Sequence, residues 1–164
     1  MTFCGETIFP GERKKLPLPV PGSLPLEAVC LCGASPGRTL AVTAGVHGCE
    51  YVGIQALRTL EKLLDPAALA GNVVLVPLIN PSGFYAGARQ VVPEDGVNLN
   101  RVFPGNPEGS LTFRLAFALA QARYPIADLL ADVHGGARNE APCPLVFFHV
   151  TGAQAATRAS HEAA

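Results

Sequence analysis

The chain has 164 residues, 49% of them apolar, and a formal net charge of -1. That length suits one domain with its own core and excludes a disordered tail or an acidic solvating segment. Twelve basic against thirteen acidic residues leave no electrostatic footprint for nucleic acid, and only 15% are charged, below the roughly 25% of an ordinary soluble domain. So few charges have two readings: strands covered on both faces, or a surface covered by something outside the chain.

The first fifteen residues, MTFCGETIFPGERKK, lack the apolar run of a signal peptide. No stretch approaches the roughly 18 continuous apolar residues of a membrane span. Five cysteines, at 4, 30, 32, 49 and 143, are odd in number and form no Cys-x-x-Cys, which points to a reducing, cytoplasmic setting. Arg13-Lys14-Lys15 reads as a solvated loop. Residues 1–25 form an extended lead-in, where Pro10, Pro17, Pro19, Pro21 and Pro25 favour extended or edge structure over helix. Residues 26–32 follow, then a turn over 33–37 and an apolar strand over 39–46. Residues 51–64 carry apolar positions in helical rhythm, and Asp65-Pro66 stops them. Residues 72–79 (NVVLVPLI) are apolar on both parities, as a strand covered on both faces would be. Residues 80–109, rich in Gly, Pro, Asn and Asp, read as a long functional loop. Ser110 then caps a helix running to about Arg123, and residues 127–134 and 145–150 read as two more strands. Residues 157–164 read as a helix cut partway. The order argues an α/β domain with a mostly parallel sheet.

The strand over 39–46 runs straight into Gly45-Val46-His47-Gly48-Cys49-Glu50, and a helix begins there. Ligands of open α/β sheets bind outside the carboxyl ends of strands. His47 and Glu50 sit at such an end, three residues apart. His134 ends a second apolar strand and is followed by two glycines. Two imidazoles and a carboxylate form the ligand set of a catalytic zinc, with a fourth position left open for water. On spacing alone the metal reading and a set of ordinary structural polar residues stay level.

Four segments in order carry a resemblance: residues 44–53 (AGVHGCEYVG), Asn80-Pro81, residues 95–105 (DGVNLNRVFPG) and residues 132–136 (DVHGG). Together they resemble the succinylglutamate desuccinylase/aspartoacylase family, a branch of the zinc carboxypeptidase superfamily, from about residue 16 onward. The resemblance implies a three-layer α/β/α zinc-peptidase-like domain spanning 1–164, with a mostly parallel mixed sheet. It also implies one Zn²⁺ per chain and hydrolysis of the acyl–nitrogen bond of an N-acyl amino acid or similar small carboxylate-bearing amide. By the same resemblance His47, Glu50 and His134 match the metal ligands. Arg89, Asn100 and Arg101 match the residues that hold the substrate carboxylate, with Arg89 and Arg101 also helping to polarise the scissile carbonyl. An arginine fork suits a carboxylate in a way lysine does not.

Other residues keep two readings. Asp132, two residues before His134 on one strand face, either orients a metal-binding side chain through a hydrogen bond or is a structural polar group. Cys49 reads as a small buried residue, and His149 and His161 as structural or solvated. Glu140 matches a frequent acidic position of the family without a clear role.

Family members are longer, and their general-base glutamate lies beyond the third ligand. The sequence therefore reads as the N-terminal part of a larger catalytic domain, expected to be a poor catalyst alone and to form homo-oligomers. The competing readings are a carboxypeptidase-like peptidase and a non-catalytic metal-binding module. Neither a nucleic acid nor a membrane is an expected partner.

Overall fold

The computed structural model describes residues 1–137, 139–148, 150 and 153–163. Two short strands, β1 (Thr2–Phe3) and β2 (Glu6–Thr7), form an antiparallel hairpin at the start. The main sheet contains β3 (Arg13–Leu18), β4 (Leu26–Cys32), β5 (Ser35–Ala44), β6 (Ala70–Val76) and β7 (Leu129–Val133). Its order is β3-β4-β6-β5-β7, mixed, with the β3–β4 and β4–β6 pairs antiparallel and the β6–β5 and β5–β7 pairs parallel. Among the described residues the α-helices are α1 (Tyr51–Leu63), α2 (Pro81–Ala86), α3 (Leu111–Arg123) and α4 (Gln154–Ala163).

Strands apolar on both parities need cover on both faces, and they receive it. Ile54 and Leu57 of α1 pack with Val29, Leu31, Val42, Val73 and Leu75 on one face. Leu111, Leu115 and Leu119 of α3 pack with Ala28, Cys30, Ala41, Val74 and Val76 on the other, where Phe3 and Ile8 of the N-terminal hairpin close the core. This is an α/β/α sandwich. The chain steps from β5 through α1 to β6, then returns past β5 through α3 to β7. The carboxyl ends of β5 and β7 therefore border a topological switch point, where α/β sheets form their crevices.

Several expectations need correction. Arg13-Lys14-Lys15 is not a loop: it lies on β3, paired to β4, with Lys15 bridging Glu27 at 3.4 Å and Glu61 at 2.8 Å. The turn expected over 33–37 is shorter, because β5 already starts at Ser35, with a register shift before Thr39. The loop over 80–109 contains α2 and a 3₁₀ turn at Leu99–Arg101. Asn80-Pro81 is the cap-then-proline start of α2, a signal that the abundance of Gly and Pro hid.

The strand expected over 145–150 is absent among the described residues. Leu145, Val146, Phe147 and Val150 are 62–89% exposed, with neither a ladder partner nor a sheet face to pack on. His149 lies outside the described residues. His161, on α4, rests edge-on against Phe148 with ring centroids 5.2 Å apart. No helix among the described residues is long and apolar enough to cross a membrane.

Candidate metal centre

β5 ends at Ala44, and Gly45, at φ 70°, turns the chain in a left-handed conformation that favours glycine. His47 and Glu50 occupy the tight turn that follows, closed by the Glu50 N–H donating to the His47 carbonyl at 3.1 Å. Glu50 stands at the cap position of α1, yet its side chain makes no cap bond there and turns instead to the imidazoles. Gly48 is where α2 presses on this turn. A Cβ there would lie 2.1 Å from the Gly83 carbonyl carbon. Asn80, fully buried, fastens the contact: its amide N–H groups donate to the Val46 and Val91 carbonyls at 3.2 Å, and its oxygen accepts the Gly83 N–H at 2.9 Å.

His134 leaves β7 one residue past its end, so the parallel β5–β7 ladder brings it beside the His47 turn. His47 Nδ1 lies 2.7 Å from Glu50 Oε1, and His134 Nδ1 lies 3.0 Å from Glu50 Oε2. The Gly135 N–H also donates to Glu50 Oε2, at 3.1 Å. The two rings are 5.2 Å apart, and one ligand atom from each of the three residues falls within 4.8 Å of the others.

The outer nitrogens are occupied by different partners. His134 Nε2 donates to Asp132 Oδ2 at 3.0 Å, so Asp132 does touch the ring as an orienting group would. His47 Nε2 lies 3.4 Å from Asn98 Oδ1, an oxygen that also accepts the Asn100 N–H at 2.9 Å. Each ring thus turns Nδ1 inward to Glu50 and Nε2 outward to a side-chain oxygen. Burial pushes the Glu50 carboxyl up, but hydrogen bonds from His134, His47 and the Gly135 N–H outweigh it and hold it at about 2. Hydrogen bonds to Asp132 and then to Glu50 raise His134 to about 10 against the effect of burial.

Arg89, Asn100 and Arg101 are placed differently. Arg89 is exposed and pairs with Glu140, whose other oxygen accepts the Ala137 N–H at 3.0 Å. Arg101 Nη1 donates to the Asn100 carbonyl at 3.2 Å. The structure links Asn100 and Arg101 to the histidine cluster through Asn98, which begins their 3₁₀ turn. Asn98 was not singled out in the sequence; only its position inside DGVNLNRVFPG marked it. Cys49 is buried, and its thiol donates to the Arg89 carbonyl at 3.3 Å, which fastens the Arg89 loop to the His47 turn.

A profile of the succinylglutamate desuccinylase/aspartoacylase catalytic domain matches residues 36–163. The chain belongs to the succinylglutamate desuccinylase/aspartoacylase family. It is 40% identical over 114 residues to the N-alpha-acetyl-L-2,4-diaminobutyric acid deacetylase of Halomonas elongata, a match covering 70% of this chain and 33% of that protein. An aspartoacylase family protein of Mesorhizobium loti superposes with a TM-score of 0.69 at 36% identity, over 81% of this chain and 43% of that one. The product-bound ectoine utilization protein EutE of Ruegeria pomeroyi superposes with a TM-score of 0.63 at 36% identity, over 70% and 35% of the two chains. The chain thus spans between 33% and 43% of the length of these relatives. Within the family match lie both parallel-strand ends and all three residues of the cluster.

Proposed function

We propose that this chain carries the zinc site of an amidohydrolase that releases the acyl group of an N-acyl amino acid or a similar small carboxylate-bearing amide. The observation that carries the reading is the pair of Nδ1 atoms converging on the two oxygens of Glu50, with both Nε2 atoms held from outside. That donor set, two imidazoles and one carboxylate, fits zinc and leaves a position free. His47, Glu50 and His134 would hold the ion. When bound, zinc supplies a Lewis acid and lowers the pKa of a coordinated water toward neutrality.

The chain's own residues do the rest. Arg89 and Arg101 offer guanidinium forks for the substrate carboxylate and the scissile carbonyl, and Asn100 adds a neutral donor and acceptor. Glu140 holds Arg89 until a substrate carboxylate takes its place. The Halomonas relative, named as a deacetylase of an N-acetylated amino acid, supports the substrate class. All five cysteines are unpaired, which supports a reducing cytoplasmic compartment.

The test is hydrolysis of N-acetyl and N-succinyl amino acids by the zinc-loaded chain, followed by liberated amine. The expected result is turnover that a chelator stops and that His47→Ala lacks. Cleavage of peptides at their C-terminus, with N-acyl amino acids untouched, would favour the peptidase reading instead.

A further inference from the structure

Behind His134 the polar groups form a single file that runs back into the core. Arg123, in the last turn of α3, is only 7% exposed. Its Nε–H donates to the Leu119 carbonyl at 3.2 Å, and an Nη1–H donates to the Thr43 hydroxyl at 3.1 Å. Thr43 is fully buried on β5 and sits directly opposite Asp132 in the β5–β7 ladder. Its hydroxyl donates to Asp132 Oδ1 at 2.6 Å, and Asp132 Oδ2 accepts from His134 Nε2 at 3.0 Å.

This file has one direction. A guanidinium has only donors, and an ionised carboxylate has only acceptors. The hydroxyl between them therefore accepts from Arg123 and donates to Asp132. A buried cation is costly unless an opposite charge answers it. The faces of Phe103 and Tyr124, 5.2 Å and 5.6 Å from the guanidinium carbon, answer only part of that cost. The carboxylate of Asp132, one hydroxyl away, is the anion to which Arg123 is wired. Asp132 is itself 32% exposed at its side chain, so without Thr43 its carboxylate is free to turn toward solvent.

We propose that Arg123 and Thr43 are positioning residues for the metal site: they fix the Asp132 carboxylate as acceptor of the His134 Nε2–H and so keep His134 Nδ1 turned inward beside Glu50, where it would face the metal. The inference rests on the metal reading of His47, Glu50 and His134. It assigns a role to a buried arginine on α3 that touches neither the ligands nor a substrate.

The test is zinc affinity of the full chain, measured by competition with a chromophoric chelator, together with the visible absorption of the cobalt(II) form. Thr43→Val replaces the hydroxyl by a methyl of nearly the same shape, and Thr43→Ser keeps the hydroxyl. Loss of an outer-shell partner typically weakens metal binding about 10–100-fold. Thr43→Val is expected at about the tenfold end of that range with a changed cobalt spectrum, and Thr43→Ser within about twofold of the wild type. In an Asp132→Asn background, Thr43→Val is expected to add nothing, because the relay acts through that carboxylate. Arg123→Met, expected to behave like Thr43→Val, serves in its place if the valine variant does not fold.

Wild-type zinc affinity in Thr43→Val, equal losses in the serine and valine variants, or a full tenfold loss in the Asp132→Asn background overturns the relay. A wild-type chain that takes up no zinc overturns the metal reading and the relay with it.

Discussion

Each imidazole of the cluster is held at its outer nitrogen by a group of a different kind: the Asn98 amide for His47 and the Asp132 carboxylate for His134. A neutral amide and a full charge hold a ring with unequal strength, yet both leave Nδ1 facing Glu50. Asn98 has a second task, because the same oxygen caps the 3₁₀ turn that carries Asn100 and Arg101. Asn98→Ala is therefore expected to weaken zinc binding about tenfold, the scale of losing an outer-shell partner, and to lower stability by about 1 kcal/mol, the scale of a lost cap. Zinc titration beside a melting curve checks both halves. Gly48 is the other decisive residue. An added methyl would meet the backbone of α2, with the Phe84 nitrogen 2.2 Å away. Gly48→Ala is expected to cost about 1–3 kcal/mol as α2 shifts off the turn, read by denaturant unfolding.

The convergence of His47, Glu50 and His134 was legible because glycines and strand ends mark where a sheet presents side chains. Asn98 was not, because a run with four polar residues, Asp95, Asn98, Asn100 and Arg101, does not tell which one turns inward.

At the scale of elements, α3 shows how a loop and a helix are joined. Ser110 stands at its cap position, as the sequence suggested, but its side chain makes no cap bond to the helix. It donates instead to Asp95, fifteen residues earlier, and Asp95 also takes the Thr112 hydroxyl and the Thr112 N–H, the latter at 2.9 Å. Asp95 further accepts the Val97 N–H at 3.2 Å. One carboxylate thus caps α3 from a distance and pins the segment carrying Asn98, Asn100 and Arg101. Asp95→Ala is expected to cost about 1 kcal/mol, the usual scale of a lost helix cap.

Burial raises the Asp95 pKa, but the bonds from Ser110 and Thr112 outweigh it and leave the net shift downward. A carboxyl lowered in the folded state binds fewer protons there than in the unfolded chain. Its contribution is present above the unfolded value of about 3.8 and is lost as pH falls through the lower folded value. The wild type is therefore expected to lose more stability than Asp95→Asn as pH falls below about 4. Equal slopes in chemical denaturation across that range would remove Asp95 from the account. Periodic elements such as α1 and β6 were readable because each alone satisfies a burial pattern. Residues 145–150 were not, since a strand also needs a neighbour, and apolar content says nothing about whether one is present.

At the scale of the molecule, β7 is one of the two outer strands of the sheet among the described residues, and Leu129 and Leu130 on it are 41% and 42% exposed. An open edge with apolar side chains invites pairing. The isolated chain is expected to self-associate, and light scattering that shows a monomer at high concentration would contradict that. Proton traffic sets the other whole-molecule expectation. Among the described residues, the carboxylates near the cluster are all engaged: Glu50 by both histidines, Asp132 by Thr43 and His134, and Glu140 by Arg89. General acid–base help is typically worth about 10²–10⁴ in rate. The zinc-loaded chain is thus expected to be slower than the Halomonas relative by a factor of that order. Comparable rates, together with loss of activity in Glu140→Gln, would instead make Glu140 the base.

All of this depends on the proposed binding of zinc by His47, Glu50 and His134, and the most direct check is metal content. Elemental analysis of purified wild type, His47→Ala and His134→Ala, each loaded with excess zinc and desalted, reads it without any assumption about substrate. The account predicts one zinc per chain in the wild type, with His47 and His134 each necessary for retaining it. Equal zinc in all three proteins would contradict it.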